Sequence, residues 1–147
     1  MEVQMGDVAV AQRGDCITAM GVGSCIVIAI HDRANRIGGL AHAILPTSEH
    51  PNRSLAVATH VDRAVDELLK RMAVLGVNGT NLEAKLVGGA NMFAAFKARI
   101  GEENVSSARE KLKKEGITLV AECVGGSQGR SVEFCISTGV VTVKTKL

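Results

Sequence analysis

Two adjacent apolar runs constrain the fold more than anything else in the chain: SCIVIAIHD at residues 24–32 and RIGGLAHAIL at 36–45. Each is dense in Ile, Val, Leu and Ala over a length that suits a strand and is short for a helix. The polar DRAN stretch between them, residues 32–35, is the size of a hairpin loop. An antiparallel pair with its loop centred there sets Cys25 opposite His42. Strand alternation then places Ile26, Ile28, Ile30 and Ile37 on one face, an obvious core. Cys25, Val27, Ala29, Gly38, Leu40 and His42 share the other face. A slip of one residue would part the cysteine from the histidine.

The rest of the chain supplies partners for that hairpin. DVAVAQ and CITAM read as two earlier strands, and the stretch from Pro46 to Arg53 as a polar loop holding both prolines. A helix is expected from about Leu55 to Leu75, with Val57, Val61, Val65, Leu68, Leu69 and Met72 at helical spacing and Gly76 as its stop. LEAKLVGGA reads as a strand ending in a glycine turn and NMFAAFKARI as a short helix. EENVSSAREKLKKEG reads as an amphipathic helix closed by Gly116. ITLVAEC, RSVEFCIS and VVTVKTK complete the chain as strands. The order is α+β, packed sheets flanked by helices, in one domain over residues 1–147.

Composition narrows the partners. A formal net charge of +2, no Trp or Tyr and three Phe argue against a nucleic-acid surface. No apolar run reaches the roughly 18 residues of a membrane span, and the first residues lack the features of a signal peptide. The expected setting is the cytoplasm, where thiols stay reduced, with Cys16, Cys25, Cys123 and Cys135 all free and three of them buried. No C-x-x-C and no zinc-like histidine spacing occurs, so neither a metal nor an organic cofactor is expected. Gly21 and Gly23 lack the third glycine of a dinucleotide loop, since Ile26 stands there and a strand follows. A redox function is disfavoured because no second cysteine lies close in sequence to resolve a disulfide.

Cys25 sits at the mouth of its strand, just past the Gly21–Gly23 bend. A free thiol has a pKa of about 8.5 and is mostly protonated at neutral pH, so it needs a base to become a nucleophile. His42 can supply one, and the backbone N–H groups of the Gly23–Ser24–Cys25 bend could hold an oxyanion. A buried cysteine beside a histidine is also compatible with plain core packing. His31 reads as a surface residue opposite Arg36, His50 as a solvated loop residue and His60 as part of the long helix.

In order and spacing, GVGSCIVIAIHD, IGGLAHAILP, VGGANMF and GGSQGRSVEF resemble the CheD family of chemoreceptor glutamine deamidases. The resemblance runs from about Asp7 to Val143. It implies a toxin-deamidase-like cysteine hydrolase fold and a cytoplasmic enzyme that converts glutamine side chains on chemoreceptor cytoplasmic domains to glutamate. Cys25 matches the family's catalytic cysteine and His42 its histidine. A third catalytic threonine is implied six residues before the cysteine, where this chain has Ala19. Either a bulge re-aims the neighbouring Thr18, or another group orients His42.

Gly88, Gly89 and Gly126 are positive-φ turns on physical grounds; the resemblance makes them walls of the substrate cleft. Arg130 could pair with an acidic receptor residue or sit on a strand edge. Met92, Phe93 and Phe96 are spaced as a core face, and the resemblance ties their region to a CheC-type phosphatase partner. An alternative function follows from Ala19: a weakly catalytic or non-catalytic regulator that binds CheC and receptors.

Overall fold

The computed structural model describes residues 1–47, 55–91 and 99–145. Its strands are β1 (Val8–Gln12), β2 (Cys16–Val22), β3 (Ile26–Asp32), β4 (Ile37–Ala43), β5 (Glu83–Gly88), β6 (Thr118–Val124), β7 (Arg130–Cys135) and β8 (Val140–Thr145). The helices are α1 (Val61–Val74) and α2 (Ile100–Lys114). The α+β expectation holds. Three layers stack: the two helices, a five-stranded sheet ordered β1-β4-β3-β5-β6, and a three-stranded sheet ordered β2-β7-β8. The β5–β6 pair is parallel, the crossover being made through α2.

The hairpin of β3 and β4 lies at the centre of the molecule, and every residue of both strands is buried. This follows from the alternation. Ile26, Ile28, Ile30 and Ile37 pack with Val61, Val65, Leu68 and Met72 of α1 and with Val105, Ala108 and Leu112 of α2. Val27, Ala29 and Leu40 pack on Ile17, Ala19, Val132 and Phe134 of the smaller sheet. Gly39 permits the close helix contact, since a Cβ there would lie 2.4 Å from Leu68 Cδ1. A fully buried Leu68 is worth about 2–5 kcal/mol against alanine.

Several expectations are corrected. The hairpin register is shifted by two residues, with Asp32 paired to Ile37 and His42 paired to Val27. Asp32 closes the strand instead of opening the loop, because its carboxylate accepts from the Asn35 backbone at 3.2 Å and from Asn35 Nδ2 at 2.8 Å. Arg36 then turns the chain in a left-handed conformation at φ 52°. His31 is accordingly buried, opposite Gly38.

Strand β2 pairs with β7. That register sets Cys16 opposite Cys135, and the two are joined in a disulfide across 119 residues of sequence, so two of the four thiols are not free. Cys123 is free but exposed. Helix α1 begins at Val61 and not near Leu55, because the preceding backbone is tied to β4: Thr59 O accepts from Ile44 N at 3.0 Å and from Leu45 N at 2.8 Å. His60 therefore precedes the helix. No helix among the described residues is long and apolar enough to cross a membrane.

Candidate functional site

The two-residue shift sets His42 opposite Val27 and leaves Cys25 in the bend that precedes β3. Cys25 lies one step before β3, two residues from Val27, and is not the direct partner of His42. His42, on the face it shares with Val27 and Leu40, points into the layer between the two sheets. Cys25 is 6% exposed and His42 1%.

Burial dominates the electrostatics of the pair. It lowers the pKa of His42, while the nearby Val3 backbone pulls weakly the other way. It raises the pKa of Cys25, against a smaller opposing effect from the residue's own backbone N–H. Burial thus favours the neutral thiol and the neutral imidazole. Among the described residues, neither ring nitrogen of His42 has a hydrogen-bond partner. The Val3 backbone is the one group that acts on the ring's pKa besides burial, so among the described residues no side chain engages this base.

The loop that carries Cys25 is held from behind. Gly23 O accepts from Ala90 N at 2.9 Å and Cys25 O from Gly89 N at 2.7 Å. Ser24 O accepts from Asn104 Nδ2 at 2.8 Å. Only glycine fits at position 88, where φ is 116° and a Cβ would lie 2.4 Å from Cys25 O. Arg130, almost fully buried, donates to Gly88 O at 3.0 Å, Cys123 O at 3.2 Å and Gly125 O. Gly126 O accepts from Asn91 N at 2.9 Å. The residues expected in the cleft (Gly23, Ser24, Gly88, Gly89, Gly126 and Arg130) thus form one network around Cys25, with the guanidinium clasping the two glycine turns.

Thr18 lies elsewhere. On β2 it alternates with the fully buried Ala19 and Ile17, so it faces away from the layer holding His42. Its hydroxyl donates to Met1 O at 3.3 Å. The strand does bulge between Ala19 and Val22, which leaves Thr18 in register opposite Glu133. Met92, Phe93, Phe96 and His50 lie outside the described residues.

Asn104 escaped the sequence reading. The available signal was a polar residue on the apolar face of its helix, in line with Gly101, Val105, Ala108 and Leu112. No group of three or more His, Cys, Asp or Glu among the described residues is placed to hold a metal ion.

Comparison with known proteins places this geometry in a family. The family described as CheD chemotactic sensory transduction matches residues 44–145, more than half of the chain. The chain belongs to the CheD family. A Thermococcus kodakarensis protein named probable chemoreceptor glutamine deamidase CheD is 43% identical over 98% of this chain and 91% of its own. Proteins of the same name from Methanococcus vannielii and Clostridium botulinum are 39% and 38% identical, each over at least 98% of this chain. These near-full-length likenesses take in the segment of this CheD chain that carries Cys25 and His42, which lies before the family match. In fold, the chain is similar to a crystal structure of a Neisseria meningitidis protein of family DUF152. The TM-score is 0.51 at 15% identity, covering 86% of this chain and 64% of that one.

Proposed function

We propose that this CheD-family chain hydrolyses the side-chain carboxamide of glutamine on chemotaxis receptors, with Cys25 as nucleophile and His42 as general base and acid. The observation that carries the proposal is a buried free thiol two residues before Val27, the strand partner of a buried histidine whose ring nitrogens have no hydrogen-bond partner among the described residues. The relatives' name supplies the substrate class.

Chemistry at the site runs in two halves. His42 takes the Cys25 proton as the sulfur attacks the carboxamide carbon. A C–S bond forms, and the oxygen becomes an oxyanion facing the N–H groups of the Cys25 loop. The imidazolium returns the proton to nitrogen, the C–N bond breaks and ammonia leaves. Water, deprotonated by His42, then cleaves the thioester to glutamate and restores the thiol. Thr18 is left out of this scheme, because its hydroxyl is engaged with Met1 on the outer face. Burial in place of a threonine keeps the imidazole neutral and ready to accept.

A second function has one observation in its favour: the small Ala19 at the position where the resemblance implies a threonine. It casts the chain as a regulator of a CheC-type phosphatase that also binds receptors. One experiment separates the two. A receptor cytoplasmic fragment incubated with the protein should gain about one dalton per converted glutamine, and Cys25→Ala should abolish the gain. No gain with the natural sequence, alongside altered CheC phosphatase turnover, would replace catalysis by regulation.

A further inference from the structure

Asn104 is fully buried, and its single amide nitrogen donates to two carbonyls in different segments: Ser24 O at 2.8 Å and Ile44 O at 2.9 Å. Ser24 precedes the nucleophile; Ile44 lies two residues beyond His42. One side chain thus fastens the Cys25 loop and the end of the histidine strand to the same point on α2. The helix comes close enough because of Gly101, where a Cβ would lie 2.4 Å from Ala90 O.

The hydrogen bond to Ser24 O has a consequence for the neighbouring atom. In a planar trans peptide the C=O and the following N–H point in opposite directions. Holding Ser24 O toward α2 therefore aims the Cys25 N–H to the other side, toward the sulfur. Consistently, that N–H acts on its own thiol and opposes the upward push of burial. The Asn104 Oδ1 has no hydrogen-bond partner among the described residues. An unpaired buried acceptor is a standing cost, and apolar residues occupy the rest of this helix face. Packing alone would favour a leucine here.

We infer that Asn104 is a positioning residue: it fixes the Ser24–Cys25 peptide plane so that the Cys25 N–H serves as an oxyanion donor, and locks that plane in register with the His42 strand. This rests on the deamidase proposal for its chemistry but not for its geometry. Losing one oxyanion donor costs about 10²–10³ in kcat in enzymes of this chemistry. Loosening the donor, with the thiol and imidazole intact, should cost about 10–100-fold.

The test compares Asn104→Ala and Asn104→Asp with Leu112→Ala, which loosens the same helix far from the loop. Both Asn104 variants should lower kcat for receptor deamidation about 10–100-fold with KM within twofold. Alkylation of Cys25 by iodoacetamide should stay within about threefold, because that displacement builds no oxyanion. Leu112→Ala should lose melting temperature without losing kcat. Equal kcat losses in all three variants would reduce Asn104 to a structural role and overturn the inference.

A second readout needs no turnover. The Cys25 amide order parameter should be near 0.85 in the natural protein and clearly lower in either Asn104 variant. An unchanged value would overturn the inference even if deamidation fell. Absence of deamidation by the natural protein, with the order parameter responding as stated, would sink the deamidase proposal and leave the positioning role standing.

Discussion

Two buried histidines occupy the same face of the central hairpin at opposite ends, and they live in different surroundings. His31, at the loop end of β3, shares its Nε2 with Ile136 O at 2.8 Å and meets the Phe134 ring edge-on at 5.7 Å. His42, near the far end of β4, is as deeply buried, and neither of its ring nitrogens has a hydrogen-bond partner among the described residues. A histidine that only fills space settles its polar atoms, as His31 has done. A buried imidazole left open is costly, and here a free buried thiol stands two residues from its strand partner Val27.

The contrast can be broken by exchanging the two for side chains that cannot titrate. His42→Gln should lower kcat for deamidation about 10²–10⁴-fold, the range for losing a general base. Its melting temperature should hold, because no hydrogen bond to the ring is lost. His31→Leu should do the reverse. It strands Ile136 O and should cost about 1–3 kcal/mol in denaturant unfolding, with kcat unchanged within twofold. If His31→Leu inactivates and His42→Gln merely destabilises, the roles assigned here are interchanged.

The pH profile sharpens the same comparison. Burial lowers the pKa of His42, so its neutral form persists to lower pH than an exposed imidazole, whose pKa is about 6.5. The acid limb of kcat/KM should therefore fall below pH 6.5. The same shift affects stability: the unfolded ring takes a proton that the folded ring resists. Stability is full above the unfolded value and declines as pH falls through the lowered folded one. His42→Gln should remove that part of the decline. The smallest effect is expected from Thr18→Ala, which deletes an exposed hydrogen bond to Met1 and should change kcat less than twofold.

Strand identity was legible wherever β-branched alternation ran between Gly or polar breaks, and all eight strands lie where the pattern placed them. Pairing was less legible in proportion to its distance. The local β3–β4 hairpin was recognisable, and its register slipped by two because the Asp32–Asn35 hydrogen bonds and the left-handed Arg36 are turn chemistry that strand alternation does not encode. The β2–β7 pair, with its Cys16–Cys135 bridge, joins segments more than a hundred residues apart, and nothing local announces it. A register shift of two leaves each strand residue on its own face, so His42 stays on the face read for it. Asn104 was passed over as one polar residue in an amphipathic helix. Its partners, Ser24 and Ile44, become neighbours only in the folded chain.

The central claim, that His42 takes the proton of Cys25, can be measured without any receptor. Cys16 and Cys135 are bonded to each other, so iodoacetamide meets two thiols, the buried Cys25 and the exposed Cys123. At pH 7, Cys25 in the His42→Gln protein should alkylate at least about tenfold more slowly than in the natural protein, with Cys123 unchanged as the internal reference. Equal Cys25 rates in the two proteins would contradict the account.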